Sequence, residues 1–578
     1  MLATAAAVAT TLAATPSPSS AAPAPAASMA PGKPAPQGPP PVEVQLLALN
    51  DLHGALEPPS GSGGRVQVDA AGTTVNAGGV EHLSSQLAEL SREAKKKNTI
   101  TVAAGDLIGA SPLLSAAFHD EPTIEALNLA GLDYASVGNH EFDEGADELL
   151  RIQEGGCHPT DGCADGTPYK GADFKYLSAN AFRTATGAPL LPPYAIRTVQ
   201  GQKVGFIGMT LEGTKDIVSQ QGVAGLEFAD EAATANRYAR QLRRQGVEAI
   251  VVLLHEGATQ TGTNAWDVNG CNGITGPLVD IVHRMDTAID VVVSGHTHQA
   301  YNCKIDDKLV TSAGSNGRLV TDIDLKIDRR NGDIVRAAAD NVVVERDVKD
   351  AAQTSLISRY RTALGPIATA VVGTAAQPLT RAQQTLFTTG AVATLGESVL
   401  GDVIADAQLA ATDDEQRAVA ALMNSGGVRA DLDAGPVTYE EAFTVQPFAN
   451  NLVTLDLTGA QLQCVLEQQF TLNRVLYPSA TLNYVVDRAG TTAAAGAPCG
   501  GTRVVDSSVE IGGQPVAAGS TYRITVNNFL AGGGDGFSTL TAGTNAVTGA
   551  IDLDAFTAYL QSSSPVTAPT LDRITTTG

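Results

Sequence analysis

Over the first three hundred residues, short apolar runs alternate with polar clusters, and each run ends on one of those clusters. Residues 46–50 (LLALN) lead into Asp51-Leu52-His53, residues 99–105 (TITVAAG) into Asp106, and residues 134–139 (YASVGN) into His140-Glu141. Residues 249–255 (AIVVLLH) close on His255, and residues 290–298 (DVVVSGHTH) close on His296 and His298. Apolar runs of this length bounded by turn residues read as buried strands. The polar clusters therefore fall where strands emerge, and in an open α/β sheet that rim is where ligands bind.

Three- and four-residue apolar spacing predicts helices between these strands, among them VEHLSSQLAEL and LVDIVHRM. A longer helical stretch covers about 345–368, with Leu356, Tyr360 and Leu364 on one face and Gly365-Pro366 closing it. Beyond it, alternation and glycine-rich turns resume. Strands are expected at 436–438, 452–457, 482–486 and 521–527, and helices near 401–411 and 459–469. No internal repeat stands out.

A chain of 578 residues exceeds a single core and divides into domains. The pattern divides it into an export signal and Pro/Ala-rich spacer (1–41), a first domain (42–344), a linker helix (345–367) and a second domain (368–578). The composition is 43% hydrophobic and 17% charged, that of a globular protein. A net charge of −24 leaves no basic footprint for a nucleic acid polymer, which is excluded as a partner. Small phosphate esters stay admissible, because bound divalent cations dominate their local field over diffuse surface charge.

The opening residues MLATAAAVATTLAA form a short small-residue apolar run, followed by Ala-x-Ala-like sites near 21–27 and a Pro/Ala/Ser-rich stretch to Pro41. No Lys or Arg precedes Lys33, so the basic segment of a complete signal peptide is missing. Export is expected all the same, to a secreted or cell-wall location, and no later run is apolar enough for a membrane span. The six cysteines fit an oxidising compartment and three bridges, with their connectivity open.

The polar clusters supply Asp51, His53, Asp106, Asn139, His255, His296 and His298. Oxygen and imidazole donors of this kind suit Mn, Zn, Fe or Co better than magnesium or calcium. Four ligands on each of two divalent ions need one shared carboxylate, and Asp106 is the natural bridge. Two cations about 3.5–4 Å apart clamp the attacking and leaving oxygens of an in-line displacement and acidify a bound water. That is chemistry for ester hydrolysis at phosphorus. All 9 histidines precede residue 300. His82, His119, His158 and His283 stand outside the set and read as surface or capping residues.

Residues 44–320 resemble the calcineurin-like metallophosphatase domain of the secreted 5′-nucleotidase and UDP-sugar hydrolase family, with Gly138-Asn139-His140-Glu141-Phe142-Asp143 close to a signature. The resemblance implies an α/β fold: an N-terminal β-sandwich flanked by helices, a linker helix and a C-terminal α+β nucleotide-binding domain. It assigns Asp51, His53, Asp106 and His298 to one ion and Asp106, Asn139, His255 and His296 to the other. It makes His140 the catalytic histidine, with Asp143 as its carboxylate partner. An imidazolium beside the leaving oxygen offers a donor where negative charge grows.

The second half resembles the family's substrate domain in Asn424-Ser425-Gly426-Gly427-Val428-Arg429, in Gln446-Pro447-Phe448, and in the stretch from Asn528-Phe529 to Asp535-Gly536-Phe537. The resemblance implies a nucleoside stacked between Phe448 and Phe529 and contacted by Asp535, with Asn424 on sugar or phosphate. Arg429 would supply a forked donor matched to phosphate oxygens. Where relatives carry an arginine shortly before Glu397, this chain has Ala393-Thr394-Leu395-Gly396, and Arg381 lies too far upstream to replace it.

The expected function is an exported dimetal phosphohydrolase that removes phosphate from nucleoside 5′-monophosphates and extends to UDP-sugars, by attack of metal-activated hydroxide on phosphorus. Two sites on domains joined by one helix imply closure or rotation to bring phosphate to metal. The same first domain also serves 2′,3′-cyclic-nucleotide phosphodiesterases with 3′-nucleotidase activity and thiosulfohydrolases. A non-catalytic nucleotide-binding surface protein is the alternative from another class.

Overall fold

The apolar runs are strands, but they belong to two sheets rather than one open sheet. In a computed structural model that describes residues 39–578 except 60, 94–97, 219–221, 390–391, 449, 495–496 and 498, the strands Val42–Leu49, Thr99–Ala104, Tyr134–Ser136 and Lys175–Leu177 pair in parallel in that order. Leu319–Ile327 and Ile334–Val343 extend this sheet on the other side as antiparallel strands. The second sheet has a parallel centre of Gln202–Thr210, Ala249–His255, Val291–Ser294 and Lys308–Ala313, edged by antiparallel Tyr194–Val199 and Ala300–Ile305. The expected export signal and most of its spacer, residues 1–38, lie outside the described residues.

Strand parity explains why the runs show no polar alternation. Leu46 and Ala48 of one sheet and Val251 and Leu253 of the other pack between the sheets. Their neighbours Leu47 and Leu49 turn outward against Leu83 and Leu87 of the helix Val80–Glu93. Ile250, Val252 and Leu254 likewise pack under the helices Glu231–Arg244 and Pro277–Arg284. Both faces are covered along these runs, so positions of both parities are largely apolar. The architecture is a β-sandwich flanked by helices.

The helix expected over 345–368 spans Ala351–Ala368, because the Asp350 carboxylate accepts the amides of Ala352 and Gln353 and caps it there. Leu356, Tyr360 and Leu364 are buried in a core that continues into the second half through Leu400, Val403 and Phe556. That half carries a mixed sheet of Leu476–Pro478, Ala420–Asn424, Thr521–Asn527, Asn451–Thr458 and Thr544–Ile551. A smaller sheet contains Leu482–Asp487 and Ile574–Thr577. The helices Val399–Ala410 and Gly459–Leu472 occupy the stretches expected for them.

The bridges are Cys157–Cys163, Cys271–Cys303 and Cys464–Cys499. Among the described residues, no helix is long and apolar enough to cross a membrane. Arg361, on the helix Ala351–Ala368, donates to Glu57 of the first half and, at 2.8 Å, to Glu440 of the second. One cation thus ties both halves to the helix between them.

Candidate active site

The register of the two sheets brings six strand ends to one rim, five of which lead into the polar clusters. Leu49 lies beside Ala103 and Ala104 beside Ser136 in the first sheet, while Leu254 lies beside Ser294 and His255 beside Thr210 in the second. The loops leaving these ends meet. Asp51, His53, Asp106, His296 and His298 all adopt left-handed backbone, with φ of 49°, 47°, 47°, 69° and 55°. Non-glycine residues held there store strain, which recurs at functional sites. Gly138 cannot be replaced in this packing, since a Cβ would fall 2.1 Å from Asp106 Oδ1.

Main-chain carbonyls fix the imidazoles. His53 Nδ1–H donates to the Gly109 carbonyl at 2.9 Å and His255 Nδ1–H to the Ala104 carbonyl at 2.8 Å, so both Nε2 atoms face the cluster. Asp106 Oδ2 stands 3.0 Å from His255 Nε2 and 3.7 Å from His53 Nε2, which is the position of a shared carboxylate. Asn139 Oδ1 lies 3.2 Å from His255 Nε2 and 3.0 Å from His296 Nδ1. Asp51 Oδ1 is 3.5 Å from His298 Nε2, which in turn approaches His53 Nε2 to 3.0 Å. The seven sequence-predicted residues converge in two overlapping groups that share Asp106.

The protonation pattern fits a cation cage. Burial pushes His53, His296 and His298 down to about 3, 4 and 4, so their ring lone pairs are free at neutral pH. Burial raises Asp51 to about 7. Burial also opposes ionisation of Asp106, yet the imidazolium charges of His255 and His140 hold its carboxyl well below the usual range. The three unprotonated imidazoles and the crowded carboxylates suit divalent cations, whereas His255, which burial opposes but Asp106 lifts to about 10, would give up its proton to one.

His140 stands at the edge of this cluster. Its amide donates to Asp106 Oδ1 at 2.9 Å and its Nδ1–H to Asp143 Oδ2 at 2.7 Å, which leaves Nε2 for the cavity. Burial works against its charge, but Asp143 and Asp106 outweigh burial and lift it to about 9. At neutral pH it is an imidazolium donor.

Two supporting residues went unassigned in the sequence. The Glu141 carboxylate accepts the amides of Asp106, Leu107 and Gly138, at 3.0, 2.8 and 2.5 Å, and clamps two ligand loops together. Asn50 donates to Asp51 Oδ2 at 2.5 Å and to the Gly314 carbonyl at 2.7 Å. Their adjacency to the ligand motifs was the available signal, but a carboxylate that accepts amides cannot be told from one that binds metal without coordinates. His82 corrects an expectation: it is buried, and its Nδ1–H donates to the Val348 carbonyl at 2.8 Å, a core role rather than a surface or capping one. His283 is exposed and faces Asp306 at 2.7 Å.

One cavity of about 1270 Å³ is lined by His53, Asn139, His140, Asp143, His296 and His298 from the first half and by Asn424, Arg429, Phe448, Phe529 and Asp535 from the second. Asp51, Asp106 and His255 form the buried layer behind it. The Phe448 ring lies 6.2 Å from the His140 ring, nearly parallel, and the Arg429 guanidinium sits 5.6 Å from the centre of the Phe448 ring. Residues of both halves thus face one cavity in this conformation. Asn527 donates to Asn424 at 2.9 Å, Asn424 donates to Asp535 at 3.2 Å, and Arg474 faces Asp535 at 3.7 Å. Asn527 and Arg474 carry no motif, and their place in this network was not legible. Arg381, set aside as too distant in sequence, donates to the Arg429 carbonyl at 3.0 Å and positions that arginine.

Residues 44–300 match the family described as Calcineurin-like phosphoesterase, and residues 371–542 match that described as 5'-nucleotidase, C-terminal domain. The chain belongs to the 5′-nucleotidase family of calcineurin-like phosphoesterases. It is 35% identical to the endonuclease YhcR of Bacillus subtilis (strain 168) over 90% of its own length, and 31% identical to the cell wall protein Lmo0130 of Listeria monocytogenes over 89%. It spans 40% and 66% of the lengths of those two relatives. The 5'-nucleotidase precursor from Thermus thermophilus superposes with a TM-score of 0.67 at 25% identity, covering 93% of this chain and 99% of that one. The β-sandwich, linking helix and α+β second half are thus the architecture of a 5′-nucleotidase, and the family implies divalent metal cofactors.

Proposed function

We propose that this chain is an exported phosphohydrolase that removes phosphate from nucleoside 5′-monophosphates and also cleaves UDP-sugars. The observation that carries this reading is the single cavity shared by the histidine–aspartate cluster and the Arg429–Phe448–Phe529 wall. A phosphate at the cluster and a base on the aromatic wall then belong to one molecule. Disulfides in both halves, the Pro/Ala-rich leader and the cell-wall relative support export.

Asp51, His53, Asp106 and His298 would hold one divalent ion and Asp106, Asn139, His255 and His296 a second, drawn from Mn, Zn, Fe or Co. When bound, the pair supplies Lewis acidity at phosphorus and acidifies a water molecule. Asp106 brings the two groups together, and Glu141 keeps its loop against the Gly138 turn. His140, charged and oriented by Asp143, donates a hydrogen bond to the phosphoryl oxygens as negative charge builds. Asp143 holds the proton on Nδ1, so Nε2–H is the donor that faces substrate. Arg429 draws in the phosphate, and Phe448 and Phe529 give the base its stacking surface. Asn424 and Asp535 offer polar contacts to the sugar.

The test is phosphate release from AMP, UDP-glucose, 2′,3′-cyclic AMP and an aryl phosphate after chelation and readdition of single metals. Release from AMP and UDP-glucose that vanishes on chelation and returns with one of the four metals supports the reading. Preference for the cyclic ester would assign the diesterase activity instead. Nucleotide binding without release from any substrate would leave a non-catalytic binding protein. A long oligonucleotide in the same panel tests the exclusion of nucleic acid polymers, which the endonuclease relative makes worth checking.

A further inference from the structure

A smaller cavity of about 220 Å³ lies in the second half, and Arg474 lines both it and the first. Arg474 follows the helix Gly459–Leu472, and its amide donates to the Gln469 carbonyl at 3.0 Å. Ser425 faces the second cavity while its neighbours Asn424 and Gly426 line the first, and the Ser425 amide donates to the Val475 carbonyl at 3.1 Å. A single turn of chain and one arginine therefore stand between the two spaces. The volume is below the roughly 300–1,000 Å³ of a pocket for a whole drug-sized ligand, which suits a substituent reaching in from the first cavity.

Its charge runs against that of the molecule. The chain carries 61 Asp and Glu against 37 Lys and Arg, yet this cavity is lined by Arg474 and Arg503 and, among the described residues, by no Asp or Glu. Neither guanidinium is tightly neutralised. Arg474 is half-exposed and stands 3.7 Å from Asp535 Oδ1. Arg503 donates to the main-chain carbonyls of Arg488 and Asp487, at 2.6 and 3.4 Å, and to no carboxylate among the described residues. Its guanidinium also lies 5.1 Å from the centre of the Phe387 ring, and Phe470 adds a second ring to the lining. Uncommitted cations beside ring faces, in a strongly acidic chain, select an anion and tolerate a flat group attached to it.

From this placement we propose that the second cavity receives a phosphoryl group borne by the sugar of the nucleotide in the first, which extends the substrate class to nucleoside 3′,5′-bisphosphates and 5′-phosphorylated dinucleotides. The inference rests on the nucleotide reading of the first cavity, in which Asp535 meets the sugar. Arg474, beside Asp535, then stands where an ester on a sugar hydroxyl projects, and Arg503, which lines only the second cavity, supplies the next positive charge. The reaction is unchanged: water cleaves the 5′ phosphoryl ester, orthophosphate leaves, and the sugar keeps its second phosphoryl group, held by the two guanidiniums.

The experiment measures, by calorimetry on the full chain in chelator, the affinities of adenosine, 3′-AMP and the dinucleoside monophosphate ApA. Wild type should bind 3′-AMP roughly 10–100-fold more tightly than adenosine through charge-assisted hydrogen bonds. Arg503→Gln should remove most of that preference and leave phosphate release from AMP unchanged. Thr492→Glu, which puts a negative charge at an exposed position of the same lining, should do likewise and keeps the test decisive if Arg503→Gln is unstable. ApA bound as tightly as 3′-AMP assigns a phosphodiester with a second ring, and ApA bound no better than adenosine assigns a free phosphoryl group; either keeps the site. Equal affinities for adenosine and 3′-AMP in wild type, or a preference that survives the substitutions, would overturn it. Phosphate release from AMP, read in parallel with metal restored, would then leave the phosphohydrolase reading standing, whereas no binding of adenosine at all would remove both.

Discussion

The two walls of the cavity are built differently. In the first half, main-chain atoms hold the centre of the cluster: Gly109 and Ala104 carbonyls grip His53 and His255, and the His140 amide grips Asp106, while single side-chain bonds from Asn50 and to Asp143 steady Asp51 and His140. In the second half, side chains hold one another, in the series Asn527, Asn424, Asp535 and Arg474. Backbone-held groups keep their places when a neighbour is removed. A chain of side chains loses order when any member is cut, so the first wall suits fixed chemistry and the second suits adjustable recognition.

The largest expected effect tests the first wall. His140→Gln should lower kcat by roughly 10²–10⁴ while metal content stays unchanged, because in the proposed reaction the residue donates to substrate without joining the cation ligands. Unchanged turnover would remove His140 from the mechanism. Phe448→Ala should weaken nucleoside monophosphate binding by about 1–3 kcal/mol through lost stacking, read as a rise in KM. A matching loss for an alkyl phosphate, which has no ring to stack, would show that Phe448 supports His140 rather than a nucleobase, and the two walls would not be separable. For the side-chain network, a double-mutant cycle with Asn424→Ala and Asp535→Ala should give a coupling of about 0.5–3 kcal/mol in substrate binding. Strict additivity would mean that the second wall is no more cooperative than the first.

The smallest effect concerns stability. The hydrogen bond from His119 to Glu144 lifts the imidazole to about 8 from its ordinary 6.5, against an opposing effect of burial. Its folded pKa lies above the unfolded one, so the pairing stabilises fully below pH 6.5 and the contribution is lost as pH rises through 8. In chelator, wild type should lose about a degree of melting temperature across that window relative to His119→Gln. Parallel curves for the two proteins would show that the pair does not contribute.

Much of the first wall was legible because strand ends and ligands coincide in sequence. Each apolar run stops within a few residues of a polar cluster, and a parallel strand covered on both faces is largely apolar at both parities, so the end of the run marks the rim. The helix Ala351–Ala368 was legible from Leu356, Tyr360 and Leu364, although Asp350 sets its start later than expected. The strand Ala420–Asn424 was passed over, although AALMN running into Ser425-Gly426-Gly427 is a short apolar run of the same kind, because periodicity alone does not separate such a run from a buried helix segment. His82 misled for the opposite reason: a helix position reads as surface until the packing partner, here the carbonyl of Val348, is known.

The order of the ligand motifs, the donor types they offer and the excess of negative charge were settled by the chain itself, because each is a local or compositional property. Which sheet each motif joined, that Asp106 stands between two groups, and that the loop of Cys157 reaches His119 were decided only by packing. Those relations depend on strand register and on side chains far apart in sequence meeting across a core. No local preference encodes such a distance.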